Sequence, residues 1–174
     1  MTSKIALVTG SGSGIGRACA KALMDAGWTT VLAGRRPEEL DATVAHAPGR
    51  ALAVPTDIAD EAQVEALFAQ IQTRFGRLDL LFNNAGISGG GSMIVNERAE
   101  WERTFNVCWG GVYLNTRAFL PMLRAADEAH LINTSSMNGF WASVGPDTPH
   151  TAYSAAKFAV KGFTEALITD LRLN

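Results

Sequence analysis

Tyr153 and Lys157 stand four residues apart in Tyr153-Ser154-Ala155-Ala156-Lys157, a spacing that on a helix brings both side chains to one face. An ammonium beside a phenol stabilises the phenolate and lowers its pKa from the reference of about 10, so the pair reads as an acid and base for work near neutral pH. Ser135-Ser136 lie a short way upstream, and a hydroxyl there can hold a carbonyl or hydroxyl oxygen of a bound molecule. Tyr-x-x-x-Lys also decorates ordinary solvated helix faces, so its meaning depends on what else the chain carries.

A second stretch, Thr9-Gly10-Ser11-Gly12-Ser13-Gly14-Ile15-Gly16-Arg17, joins the aliphatic run Ile5-Ala6-Leu7-Val8 to an alanine-rich helical pattern. Glycines permit a tight turn and close approach of the backbone to a pyrophosphate, while the first amides of the helix and its dipole favour an anion. In that strand-turn-helix context Gly10, Ser13, Gly14, Ile15 and Gly16 read as a phosphate cradle. The next aliphatic run ends Ala33-Gly34-Arg35-Arg36, with no acid to accept from a ribose 2′-hydroxyl. A guanidinium at that turn can bind a 2′-phosphate instead, Arg35 being the first choice and Arg36 the second, which favours NADP and leaves NAD open. The alternative is a solvated basic pair before a helix.

The elements that must carry these residues follow from periodicity. Thr29 to Ala33, Ala51 to Val54, Leu78 to Phe82 and His130 to Asn133 join the first run as strands too apolar to have one face in water. Helical patterns alternate with them at about Gly14 to Ala26, Pro37 to Ala45, Asp60 to Phe75, Arg98 to Ala125 and Thr151 to Leu173. The expected fold is α/β: a Rossmann-like, doubly wound parallel sheet with helices on both faces, about five βα units in a single domain over residues 1–174. The 174 residues carry 15 lysines and arginines against 17 acids, with no basic cluster beyond Arg35-Arg36. Neither nucleic acid nor an anionic membrane is expected as a partner, and no apolar run approaches the ~20 residues of a membrane span. A cytoplasmic protein is expected, with Cys19 and Cys108 as small buried residues and no metal site.

Taken together, Thr9-Gly10-x-x-x-Gly14-Ile15-Gly16, Asn83-Asn84-Ala85-Gly86, Ser136 and Tyr153-x-x-x-Lys157 resemble the short-chain dehydrogenase/reductase family, in that family's order and over residues 4 to 174. The resemblance implies that Tyr153 is the acid/base, that Ser136 rather than Ser135 polarises the reacting oxygen, and that Lys157 both lowers the tyrosine pKa and bonds the nicotinamide ribose. It implies that Asn106 holds a water in the proton relay to Lys157, that Asp57-Ile58 contacts the adenine, and that Asn83, Ala85 and Gly86 line the adenosine ribose. Asn106 read from its residues alone is a poor helix former tolerated at a bend near Gly110-Gly111.

The resemblance further implies hydride transfer between an alcohol and a carbonyl compound, and a homo-oligomer built through the two long helices. Family members usually continue into further strands and a substrate loop, so the chain is expected to be C-terminally incomplete, and a dinucleotide-binding or dimerisation module without turnover is the alternative function. Phe140 to Thr151, with Trp141, Asp147 and His150, reads either as a substrate wall or as a surface loop closed by Pro146 and Pro149.

Overall fold

The computed structural model describes residues 4–89, 91–143, 145 and 147–174; Pro146 lies outside them. Five strands, β1 (Ile5–Thr9), β2 (Thr29–Gly34), β3 (Ala51–Pro55), β4 (Leu80–Asn83) and β5 (His130–Asn133), form one sheet in the order β3-β2-β1-β4-β5. The pairs β1–β2, β1–β4 and β2–β3 are parallel, with Leu7 opposite Val31 on one side and Leu81 on the other. This is a Rossmann-like, doubly wound α/β sheet, as the alternation of elements predicts. Its order reverses between β1 and β4, and in open sheets of this kind ligands bind outside the carboxyl ends of the strands at that point.

The chain divides into two compact units, one of residues up to Ala85 with Tyr113–Ile132, the other of Gly86–Val112 with Asn133–Asn174. The first holds the sheet and its core. Alternate residues of each strand face opposite ways, so Ile5, Leu7, Val31 and Ala33 pack with Leu67 and Ile71 of α3 (Glu61–Phe75) and with Phe119, Met122 and Leu123 of α5 (Gly111–Ala125). Val8 and Leu32 turn to the other face, against Ala20 of α1 (Gly14–Asp25) and Leu40 of α2 (Pro37–Val44). Each fully buried leucine or phenylalanine contributes roughly 2 kcal/mol by leaving water.

Local signals set the helix ends. Pro37 opens α2 with Glu38 and Glu39 in its first turn, where acids complement the helix dipole. Asp60 caps α3 by accepting from the Gln63 amide at 3.2 Å, and Gly76 closes it at φ 64°. Asp79, 0% exposed, accepts from the Ile5 amide at 2.7 Å and from Arg77 Nε at 3.1 Å, which holds the start of β1 beside the approach to β4.

Two elements differ from expectation. In β5, His130 and Ile132 are exposed while Leu131 between them packs against the core, because this last strand of the sheet is covered on one face alone among the described residues. The segment Arg98 to Ala125 is not one α-helix: α4 (Arg98–Phe105) runs into a π turn at Asn106–Gly110 before α5 begins.

The second unit contains α4, the π turn and α6 (Thr151–Leu173). Trp109 of the π turn meets Phe163 of α6 edge-on at 5.3 Å, and Trp101 Nε1 donates to Thr151 Oγ1 at 2.9 Å. Among the described residues no helix is long and apolar enough to cross a membrane.

Candidate active site

In the first unit the turn after β1 is built on close backbone contact. A Cβ on Gly16 would stand 2.4 Å from the Gly10 carbonyl oxygen and 2.5 Å from Asn84 Nδ2; one on Gly10 would stand 2.8 Å from Ala85 Cα. Thr9 ties the same pieces together: its Oγ1 accepts from the amides of Asn84 and Ala85 at 3.0 Å each, and Asn84 Nδ2 donates to the Thr9 carbonyl at 3.0 Å. The turn after β1 and the loop after β4 are therefore one bonded structure.

At the start of α1, Ser13 makes no side-chain cap, and Ser13, Gly14 and Ile15 are exposed. Gly14 has φ 53°, and a Cβ there would meet nothing within 4 Å. Uncapped first-turn amides beside open space make an anion seat, so the residues present fit a dinucleotide pyrophosphate. Arg35 is exposed and without an ion pair among the described residues, whereas Arg36 reaches Glu39 Oε1 at 3.5 Å. Of the two arginines, Arg35 is the one open to a ligand.

The remaining residues of this half are placed less uniformly. Asp57 Oδ1 accepts from the Ala59 amide at 3.0 Å, and Ile58 is 6% exposed. Asn83 is 3% exposed, its Nδ2 donating to Thr116 Oγ1 of α5 at 3.1 Å. Asn84, which the sequence reading did not single out, is the asparagine that seals the glycine turn. Ala85 is half-buried against Gly10, and Gly86 is exposed.

In the second unit Lys157 is 2% exposed, donates from Nζ to the Thr134 carbonyl at 2.7 Å and lies 5.5 Å from the centre of the Tyr153 ring. Burial pushes its pKa below the ordinary lysine value, and Cys108 opposes that shift. Tyr153 is half-buried, and its hydroxyl has no hydrogen-bond partner among the described residues. Ser135 Oγ donates to the Lys157 carbonyl at 3.0 Å, and Asn138 Nδ2 donates to Ser154 Oγ at 3.0 Å. Ser136 sits between these two anchors to α6, and its Oγ accepts from the Asn138 amide at 3.2 Å. The geometry thus engages Ser135 in structure and keeps Ser136 as the serine of the two whose proton is uncommitted among the described residues.

Compared with known proteins, residues 4–174 match the family model described as short chain dehydrogenase. The chain belongs to the short-chain dehydrogenase family. It is 40% identical over 171 residues to SadH of Mycobacterium tuberculosis, covering 97% of this chain and 60% of that one. Among solved structures, a short-chain dehydrogenase/reductase from Burkholderia phymatum in complex with NAD superposes with a TM-score of 0.89 at 37% identity, covering 98% of this chain and 60% of that one. A metagenomic short-chain oxidoreductase in complex with NADP gives a TM-score of 0.87 at 33% identity, over 98% and 77% of the two chains. The chain therefore spans about 60% of the length of SadH.

In this member of the family the π turn does not present the expected side chain to Lys157. Asn106 is exposed. Two residues on, Cys108 is 0% exposed; its sulfur accepts from the Ile87 amide at 3.4 Å, its thiol donates to the Ile87 carbonyl at 3.1 Å, and it is the titratable neighbour that acts on Lys157. Residues two apart on a helical turn point to different sides, so only one of them can face α6. The signal available in sequence was residue type: a thiol is more readily buried than an amide. Cys19, by contrast, is only half-buried.

Two outcomes are expected. Gly16→Ala should lose at least ~2 kcal/mol of unfolding free energy in urea, because its Cβ meets backbone, whereas Gly14→Ala should lose only the left-handed backbone penalty of roughly 1–2 kcal/mol. Equal losses would show that contact at Gly16 is not the constraint. For Lys157, the folded pKa lies below the ordinary value of 10.5, so between the two the unfolded chain binds the extra proton and stability rises with pH. Unfolding titrations from neutral pH up to that value should show a rise in wild type that Lys157→Met lacks; parallel curves would contradict the shift.

Proposed function

We propose that the protein is an NADP(H)-dependent oxidoreductase, able also to use NAD, that interconverts a secondary alcohol and a ketone or aldehyde. The observation that carries this reading is the Tyr153–Lys157 pair: a phenol ring whose centre lies 5.5 Å from a buried ammonium and whose hydroxyl has no hydrogen-bond partner among the described residues. A dinucleotide held at the β1 turn would supply hydride chemistry through its nicotinamide. In reduction Tyr153 gives its hydroxyl proton to the substrate oxygen, and the nearby charge of Lys157 stabilises the phenolate left behind. Ser136 donates a hydrogen bond to the same substrate oxygen and orients it, keeping its own proton. In oxidation each transfer runs in reverse.

On the cofactor side, Gly10, Ser13, Gly14, Ile15 and Gly16 would hold the pyrophosphate and Arg35 the 2′-phosphate. Asp57 and Ile58 would meet the adenine, and Ala85 and Gly86 the adenosine ribose, with Asn83 acting from behind that loop. Both dinucleotides are found in solved relatives, one with NAD and one with NADP; the absence of an acid at Arg35-Arg36 supports NADP as the better ligand. Asn106 would contribute through solvent at most, given its exposure.

The proposal takes the chain as one dinucleotide-binding domain acting on small molecules in the cytoplasm. It extends to self-association through α6, whose Phe158, Ile168 and Leu171 are 43%, 49% and 44% exposed.

The test is Tyr153→Phe, assayed by NADPH consumption across a panel of ketones and aldehydes in whatever length of the protein supports turnover. Turnover should be lost while NADPH affinity stays within about twofold, since the substitution removes one hydroxyl from the reacting centre. Retained turnover would remove Tyr153 from the acid/base role.

A further inference from the structure

A carboxylate reaches the Arg35-Arg36 turn from α2. Glu39, in that helix's first turn, packs against the glycine turn so closely that a Cβ on Gly12 would come within 3.0 Å of Glu39 Cβ. Its carboxylate accepts from Arg17 Nη2 at 2.5 Å and from Arg36 Nη1 at 3.5 Å. Arg17 is committed elsewhere as well, donating to the Gly12 carbonyl and, through Nε, to Thr43 Oγ1 at 3.1 Å. One carboxylate therefore engages two of the three arginines at this end of the sheet and leaves Arg35 as the third.

We propose that Glu39 is a specificity-determining residue whose charge restrains binding of a 2′-phosphorylated nucleotide at the Arg35 turn while leaving the unphosphorylated one unaffected. This rests on the cofactor reading above. A 2′-phosphate held at Arg35 would add two negative charges one residue from Arg36, which the Glu39 carboxylate already engages; a 2′-hydroxyl would add none. The carboxylate is 33% exposed, so the repulsion is screened by solvent and weakens with added salt.

Glu39→Gln removes the charge and keeps an amide oxygen for Arg17, so the clamp on Gly12 persists. Adenosine 2′,5′-bisphosphate and adenosine 5′-phosphate report on the adenosine end alone and need no turnover. By calorimetry at low salt, Glu39→Gln should bind the bisphosphate roughly fivefold tighter than wild type, with 5′-phosphate affinity unchanged. Glu39→Asp should behave as wild type, and the gain should shrink at high salt. Equal weakening of both ligands would make Glu39 a structural clamp and overturn the proposal, as would identical affinities in wild type and Glu39→Gln. If wild type binds neither fragment, nor NADPH nor NADH, the cofactor reading itself fails and the inference falls with it.

Discussion

Everything around the turn after β1 depends on one steric constraint, the approach of Gly16 to Gly10 and Asn84 at distances no side chain could share. That contact lets the chain leave β1, turn and enter α1 with uncapped amides facing open space. It holds only because Thr9 bonds the two amides beyond β4 and Asn84 bonds back to Thr9. The sheet order places β1 and β4 side by side, so the strand reversal, the glycine turn and the sealing asparagine are consequences of one packing arrangement.

The sheet and most helices were legible in sequence because their signals are local. Runs such as Ile5-Ala6-Leu7-Val8 specify buried strands, and β5 coincides with the predicted His130 to Asn133. The exposure of His130 and Ile132 was not legible, since it depends on which strand ends the sheet. Nor was the π turn at Asn106–Gly110: the residues Asn106-Val107-Cys108-Trp109-Gly110 are compatible with a continuous helix ending near Gly110-Gly111, and the greater ease of burying a thiol than an amide is a weak signal beside the packing with α6 that turns Cys108 inward.

The same limit applies to the polar residues. Glycine positions and the Tyr153–Lys157 spacing carry their geometry in their types, and the structure brings that pair together as the spacing requires. The two serines are alike in type; the family pattern singles out Ser136, and the hydrogen bond of Ser135 to α6 gives the physical difference between them. Asn83 and Asn84 are identical in type, yet one bonds Thr116 and the other Thr9, because successive residues leaving a strand point to opposite sides. Glu39 escaped notice as an acid of the nucleotide turn because it arrives from the next helix, four residues beyond Arg35.

The central claim is that the β1 turn is a preformed seat for a dinucleotide. Its most direct test is equilibrium titration of the 174-residue protein with NADPH and with NADH, followed by the fluorescence of its tryptophans. The account predicts saturable binding of both, with NADPH tighter. Absence of saturable binding by either would contradict it.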